Sequence, residues 1–281
     1  MTWNLWWRFG PWEERAPAIA AVVAEQQPDV LCLQEVWSLE GESAAGRLAE
    51  QLGYHHALTD DPFAGHRGES RPGFHNAILS RSPLTDVVSH PLPRLDGTPG
   101  HRRALSARTT IGELTWTVVS THLDHRFDDS ALREAQAREV LHVVAGLRTD
   151  PDTEPPVVVC GDFNAPPDSD EVRLLTGRRA GPIRNLVLTD SWEAVGDGPG
   201  ATWRSDNPYQ QATAWPNRRL DYVFVSWPRP KPLGNPAAAW LAGTAPVDGV
   251  VPSDHAAVVV DLVDRVERVD RVRAPDAAVS S

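Results

Sequence analysis

Three stretches in the second half of the chain, residues 157–160, 220–226 and 256–263, are apolar almost end to end, and runs this short read as buried strands. Strands of that kind need cover on both faces, so they must stack against another sheet or lie under helices. Helical patterns flank them at residues 13–26, at 43–52 with Gly53 as a stop, and at 169–175. A longer helix at 130–147 carries Leu132, Val140, Leu141, Val144 and Leu147 on one core-facing stripe. The runs 1–5, 29–36, 54–58, 75–80, 84–90, 104–111 and 114–122, separated by Gly, Pro and Asp clusters, read as further strands. The alternation predicts an α+β sandwich with helices outside two packed sheets.

With 281 residues and 41% apolar content the chain can bury a substantial core, and one domain over residues 1–263 is expected. Residues 264–281 alternate charge and end in small residues, which predicts a loosely ordered tail. No apolar run approaches the roughly 18–20 residues that span a bilayer, and the opening MTWNLWWRFG lacks a signal-peptide pattern. The expectation is a soluble, cytoplasmic monomer. Cys32 and Cys160 both lie in apolar runs, where a thiol acts as a small buried hydrophobe, so neither a disulfide nor a thiolate metal site is expected. The net charge of −11 argues against a broad basic surface for nucleic acid, yet it leaves a phosphate substrate open, because a bound cation supplies positive charge locally.

Polar residues of chemical interest stand where these strands stop. Asn4 ends the first, Glu35 closes DVLCLQE, and His122 closes TWTVVSTH. A lone strand-end Glu or His is ordinarily solvent-facing or structural. Gly161-Asp162-Phe163-Asn164 is the most specific segment: a Gly after a buried strand permits a tight turn that sets a carboxylate and an amide on the rim, and Ala165-Pro166-Pro167 holds that turn rigidly. Asp221 interrupts a β-prone run that has no use for a carboxylate without a partner. Ser253-Asp254-His255 opens the last strand with one carboxylate and one imidazole, and Asp–His pairing fixes an imidazole tautomer. Asn4, Glu35, Asp162, Asn164 and Asp254 form an all-oxygen donor set, which favours Mg²⁺ or Mn²⁺ over zinc.

The segments TWNL, LQEV, NAILSR, STHL, GDFNA, RLDYVF and SDH, in this order from residue 2 to residue 255, resemble the endonuclease/exonuclease/phosphatase superfamily, whose fold is similar to that of pancreatic deoxyribonuclease. The resemblance implies a four-layer α/β/β/α sandwich with the site at the sheet edges, and a metal-dependent phosphoester hydrolase over residues 1–263. It also implies roles. Glu35 is the main metal ligand, assisted by Asn4 and Asp254. Asp162 orients or deprotonates the attacking water, and Asn164 holds water or phosphate. His255, paired with Asp221, stabilises the phosphorane or acts as the base, and His122 binds a phosphate oxygen near the leaving group. His122 stands where some branches carry Tyr, which leans away from the abasic-site repair branch. The strand before Asn4 is short for the family, which suggests a true start upstream.

Family membership does not name the substrate. Nucleic acid, DNA or RNA, is favoured, with sphingomyelinase-like or small-molecule phosphatase activity as the rival and a non-catalytic binding module on the same fold as the rival of another class. All eight polar positions are filled, which speaks against that module. The segment from Trp3 to Trp12 places five aromatics around Asn4, suited to stacking on bases, to a lipid, or to capping the core. Trp203 and Trp215 suggest another wall, and Arg102, Arg103, Arg218 and Arg219 are candidates for phosphate contacts.

Overall fold

The computed structural model describes residues 1–61, 63, 71–148, 150, 152–211 and 214–265. Apart from Asp264 and Arg265, the expected tail lies outside the described residues. One sheet has the order β12-β13-β1-β2-β5-β4 with β3 on the end of β2, where β1 is Thr2–Asn4, β2 Val30–Leu39, β3 Glu42–Ser43, β4 His55–Leu58, β5 Gly73–Ser80, β12 Pro236–Ala242 and β13 Ala257–Leu262. The other has the order β10-β11-β9-β8-β7-β6, from β6 Leu84–Pro93, β7 Pro99–Ile111, β8 Leu114–His122, β9 Val158–Asp162, β10 Val187–Asp190 and β11 Asp221–Trp227. The helices are α1 Trp12–Gln26, α2 Ala44–Leu52, α3 Ser130–Leu147, α4 Asp170–Leu175 and α5 Ser191–Val195.

Three apolar layers make this a four-layer sandwich. Ile19, Val22 and Val23 of α1 and Leu48 of α2 pack on Leu31, Leu33 and Leu79 of the first sheet. Cys32, Ile78, Leu105, Val118, Val158, Cys160, Val223 and Val258 fill the space between the sheets, and both cysteines are buried free thiols there. Ala137, Val140, Leu141 and Val144 of α3 cover Val119, Val159 and Phe224 of the second. The four-layer architecture expected from the resemblance is the one observed. Among the described residues no helix is long and apolar enough to cross a membrane.

Register carries the polar strand ends to one rim. β1 and β2 run parallel, joined through α1, with Asn4 beside Gln34. β8 and β9 run parallel, joined through α3, with His122 beside Asp162. β11 is antiparallel to β9 and begins with Asp221 opposite Asp162, while β13 is antiparallel to β1, which brings the segment before Ala257 to the same edge.

The structure amends several sequence expectations. β2 continues past residue 36 to Leu39, so Glu35 lies inside a strand at a register shift between Leu33 and Val36 and not at its end. Gly161 and Asp162 are the last residues of β9 and not a turn after it. On α3, Leu132 and Leu147 are only half-buried, whereas Arg133 and Gln136 are buried, the first bonded to Glu171 and the second to the Asp124 amide. β10, β12 and α5 were not expected: α5 is too short to show a helical period, and the alanines of β12 have low strand propensity that edge pairing with β13 overrides.

Candidate active site

Asp162 is the centre of the cluster, with 1% of its surface exposed. Its Oδ2 accepts Asn4 Nδ2 at 2.9 Å, and its Oδ1 accepts the Asn164 amide at 2.9 Å, an Asx turn that places Asn164 at φ +50°. Two imidazoles face the same Oδ2: His122 Nε2 at 3.6 Å and His255 Nε2 at 3.9 Å. The other nitrogen of His255, Nδ1, is 2.8 Å from Asp221 Oδ2, which fixes Nδ1 as the donor and leaves Nε2 toward Asp162. Asn164 is itself anchored by Nδ2 on the Leu123 carbonyl at 3.1 Å.

Glu35 enters from the first sheet at φ +53°, on the register shift of β2. A bulge re-aims a side chain that regular pleating would direct elsewhere. Its Oε1 accepts Asn4 Nδ2 at 3.3 Å, and its buried Oε2 has no hydrogen-bond partner among the described residues. Asn4 thus donates to Asp162 and Glu35 while its Oδ1 accepts the Trp6 amide at 2.9 Å. It ties two carboxylates together through its amide nitrogen, and its oxygen, accepting one hydrogen bond, has a second lone pair left. Asp254 is held by Gln210 Nε2 at 2.8 Å, and Ser253 Oγ donates to the Asn4 carbonyl at 2.6 Å.

Burial pushes the Glu35 carboxyl up to about 7, helped by the charge of Asp254 and opposed by Arg102, His255 and the Asn4 hydrogen bond. Burial and the charge of Asp221 raise Asp162 to about 6 against His255 and its two donors. Asp254 is also raised, chiefly by burial. For His255 burial acts downward, but the charges of Asp221, Asp254 and Asp162 and the hydrogen bond to Asp221 outweigh it, leaving the imidazolium favoured. His122 goes the other way: burial, Arg102, His255 and His125 keep it neutral. Asp162, Asp221 and His255 bring ligand atoms within 4.8 Å of one another, a buried group able to hold a metal ion.

A groove of about 910 Å³ opens beside Glu35, walled by Trp7, Phe9, Phe74, Arg102 and Arg126. The Trp3–Trp12 aromatics therefore divide. Trp7 and Phe9 face the groove, Trp3 is fully buried with Nε1 on the His255 carbonyl at 2.9 Å, Trp6 stacks on Tyr209, and Trp12 packs on Trp37. The arginines divide too: Arg103 is paired with Asp60 and buried Arg219 with Asp190, while Arg102 lines the groove and Arg218 lies over Phe127 and Trp215.

Sequence reading missed Arg15, whose guanidinium donates to the carbonyls of Leu5, Trp6, Trp7, Phe9 and Pro252 at 2.7–3.1 Å. It clasps the loop after Asn4 to the loop before Asp254, and Trp6 and Trp7 hold φ values of +58° and +37° within it. Nothing in the helical pattern of α1 marks this one arginine, because its partners are backbone carbonyls, four in the loop just before the helix and the fifth, Pro252, from the far end of the chain. Arg15→Leu removes a donor from all five carbonyls, of which that of Trp6 also accepts the Phe9 amide, and is expected to cost roughly 2–3 kcal/mol. Urea denaturation checks this, and a change under about 0.5 kcal/mol, the size of an ordinary surface substitution, would show the clasp to be dispensable.

The Endonuclease/Exonuclease/phosphatase family pattern matches residues 1–255. This chain belongs to that family. Its members are hydrolases of phosphoester bonds, in keeping with the rim of acids and imidazoles. Nocturnin of Drosophila melanogaster is 26% identical over 275 residues, covering 89% of this chain but 42% of its own length, so the chain spans less than half of that relative. Among solved structures, Danio rerio TDP2 complexed with a single-strand DNA product superposes with a TM-score of 0.71 at 20% identity, over 92% of this chain and 96% of that one. An endonuclease/exonuclease/phosphatase from Beutenbergia cavernae gives 0.67 at 25% identity, over 93% and 70%.

Proposed function

We propose that the chain is a divalent-metal-dependent phosphodiesterase acting on nucleic acid, with Asp162 as the group that takes the proton from the attacking water. The observation that carries this reading is the geometry at Asp162: a carboxylate near 6, positioned by Asn4 and the Asn164 amide, facing a cationic imidazole that Asp221 locks in orientation. A base titrating close to neutral pH combines availability with driving force. His255, as imidazolium, suits a phosphoryl oxygen that gains charge, and so stabilises the transition state without being the base. His122, neutral and 3.6 Å from Asp162 through Nε2, is placed to hold a second phosphate oxygen.

Glu35 and Asp254 would hold the metal. The fit rests on the unpartnered, buried Glu35 Oε2 and on two buried acids that are both raised, Glu35 in part by the charge of Asp254, an arrangement a cation relieves. The tighter Asp162–Asp221–His255 group suits a cation less well, because His255 is favoured as the imidazolium, which has no lone pair to offer a metal. Oxygen donors suit Mg²⁺ or Mn²⁺, which when bound would polarise a phosphoryl oxygen and offset its developing charge. Asn4 serves as the donor that spaces Glu35 from Asp162.

Nucleic acid is favoured among phosphoesters by the aromatic and arginine lining of the groove, and by the DNA product held by the Danio rerio relative. A panel of single-stranded DNA, RNA, bis-p-nitrophenyl phosphate, p-nitrophenyl phosphate and sphingomyelin, each with Mg²⁺, tests it. Turnover of DNA or RNA and of bis-p-nitrophenyl phosphate is expected; turnover confined to p-nitrophenyl phosphate or sphingomyelin would replace this reading with a phosphatase or lipid one. EDTA is expected to abolish turnover, and Mg²⁺ or Mn²⁺ to restore it. Undiminished rates in chelator would remove the metal from the scheme.

A further inference from the structure

Two large rings are exposed, one of them next along the chain from the groove-lining Arg126. Phe127 is 47% exposed and Trp215 is 41% exposed, with centroids 4.7 Å apart. The Arg218 guanidinium lies 5.0 Å over Phe127 and 4.9 Å over Trp215, and the mostly buried Trp203 backs Phe127 at 6.2 Å. Trp203 ties this shelf to the catalytic rim, because its backbone pairs with Arg218 on one side and with His255 on the other.

The shelf and the groove are neighbours along the chain. In the loop between β8 and α3, Arg126 lines the groove, which reaches Glu35, and the next residue, Phe127, belongs to the shelf, which reaches His255. Rings this exposed contribute little to the core, and a cation held over two π-faces keeps positive charge where a phosphate would pass. In a protein of net charge −11 such a local cation is selective placement.

We propose that Phe127, Trp215 and Arg218 form a stacking subsite for one unpaired nucleobase of a single-stranded nucleic acid, on the His255 side of the catalytic cluster. The inference rests on the phosphodiesterase reading and deepens it: aromatic surface in the groove by Glu35 and on the shelf tied to His255 would give a phosphodiester two flanks on which its bases stack. A phosphomonoester would leave one flank idle. Stacking tolerates any base, so the subsite fixes the path of the strand and not its sequence.

The test is binding of the whole chain, in EDTA so that nothing is cut, to labelled single strands of about ten nucleotides, DNA in one arm and RNA in the other. Phe127→Ala and Trp215→Ala are each expected to weaken binding by roughly 5- to 150-fold, the range one base on one ring spans. Against strands carrying a single abasic residue walked along the chain, that loss should vanish at one position, where wild type and variant become equal. A loss confined to DNA or to RNA still supports the shelf and names the sugar. The proposal is overturned if wild type binds neither strand, if both variants bind within twofold of wild type, or if the loss persists at every abasic position. Wild-type hydrolysis of the same strands with Mg²⁺ is measured separately: binding with the expected pattern but no cleavage keeps the shelf and refutes the hydrolytic reading.

Discussion

His255→Ala is expected to lower kcat by roughly 10²- to 10⁴-fold, the span of a single positioned acid–base or charge-stabilising group. His255 donates from Nδ1 to Asp221 at 2.8 Å and directs Nε2 toward Asp162 at 3.9 Å, so its removal takes away the cation facing the reacting phosphate. It also strands Asp221, whose Oδ1 already lacks a partner among the described residues, so alanine costs stability as well as rate. His255→Asn separates the two, because its amide can reach Asp221 in place of Nδ1 but carries nothing where Nε2 stood. The expected result is a kcat loss of similar size with a melting temperature close to wild type. Asp162→Asn is less clean: its new NH₂ must face either the Asn4 Nδ2 or the Asn164 amide, donor against donor. Single-turnover cleavage of a single-stranded substrate at saturating Mg²⁺ reads the effect. Turnover within twofold of wild type in His255→Asn would take His255 out of the chemistry.

Much of this site was legible because strand ends are legible. Asn4, His122 and Asp162 each close an apolar run, and once β1 lies parallel to β2 and β8 to β9 those ends must share a rim. Asp221 was conspicuous as a carboxylate among β-formers, and its partner proved to be His255. What the letters hid depends on tertiary geometry. Glu35 reaches the site through a bulge at φ +53°, which no periodicity reports. Asn4 reads as an oxygen donor, but no pattern shows that its amide nitrogen also bridges Asp162 and Glu35. Gln136 and Gln210 carry no signal in the sequence, yet they are a buried acceptor and a buried donor at the rim, because their partners, the Asp124 amide and Asp254, come from other elements. The same limit explains why four similar arginines divide evenly between structural pairing and the site.

Gly161→Ala is expected to destabilise the fold by on the order of 3–5 kcal/mol, adding overpacking to strained backbone. The sequence suggests that this glycine permits a turn, but the structure gives it a different task. Gly161 is a strand residue of β9 at φ +152°, paired on one side with Thr121 of β8 and on the other with Tyr222 of β11. A Cβ there would lie 2.0 Å from the Thr121 carbonyl oxygen and 2.8 Å from its carbon. Neither is the end of a flexible side chain: Thr121 is fully buried in the middle of a six-stranded sheet, so the strands themselves would have to part. Gly53→Ala provides the comparison, since Gly53 also has positive φ, +72°, yet a Cβ meets nothing within 4 Å; it should cost only the left-handed penalty of roughly 1–2 kcal/mol. At about 2–4 °C per kcal/mol, Gly161→Ala should melt roughly 6–20 °C below wild type. A drop no larger than that of Gly53→Ala would show that the sheet accommodates the methyl. Where some Gly161→Ala chain still folds, parting β8 from β9 moves His122 relative to Asp162, whose Nε2–Oδ2 separation is 3.6 Å, so turnover per folded molecule should fall as well. That second loss is the sign that the glycine sets the spacing of the site and not only the closure of the sheet.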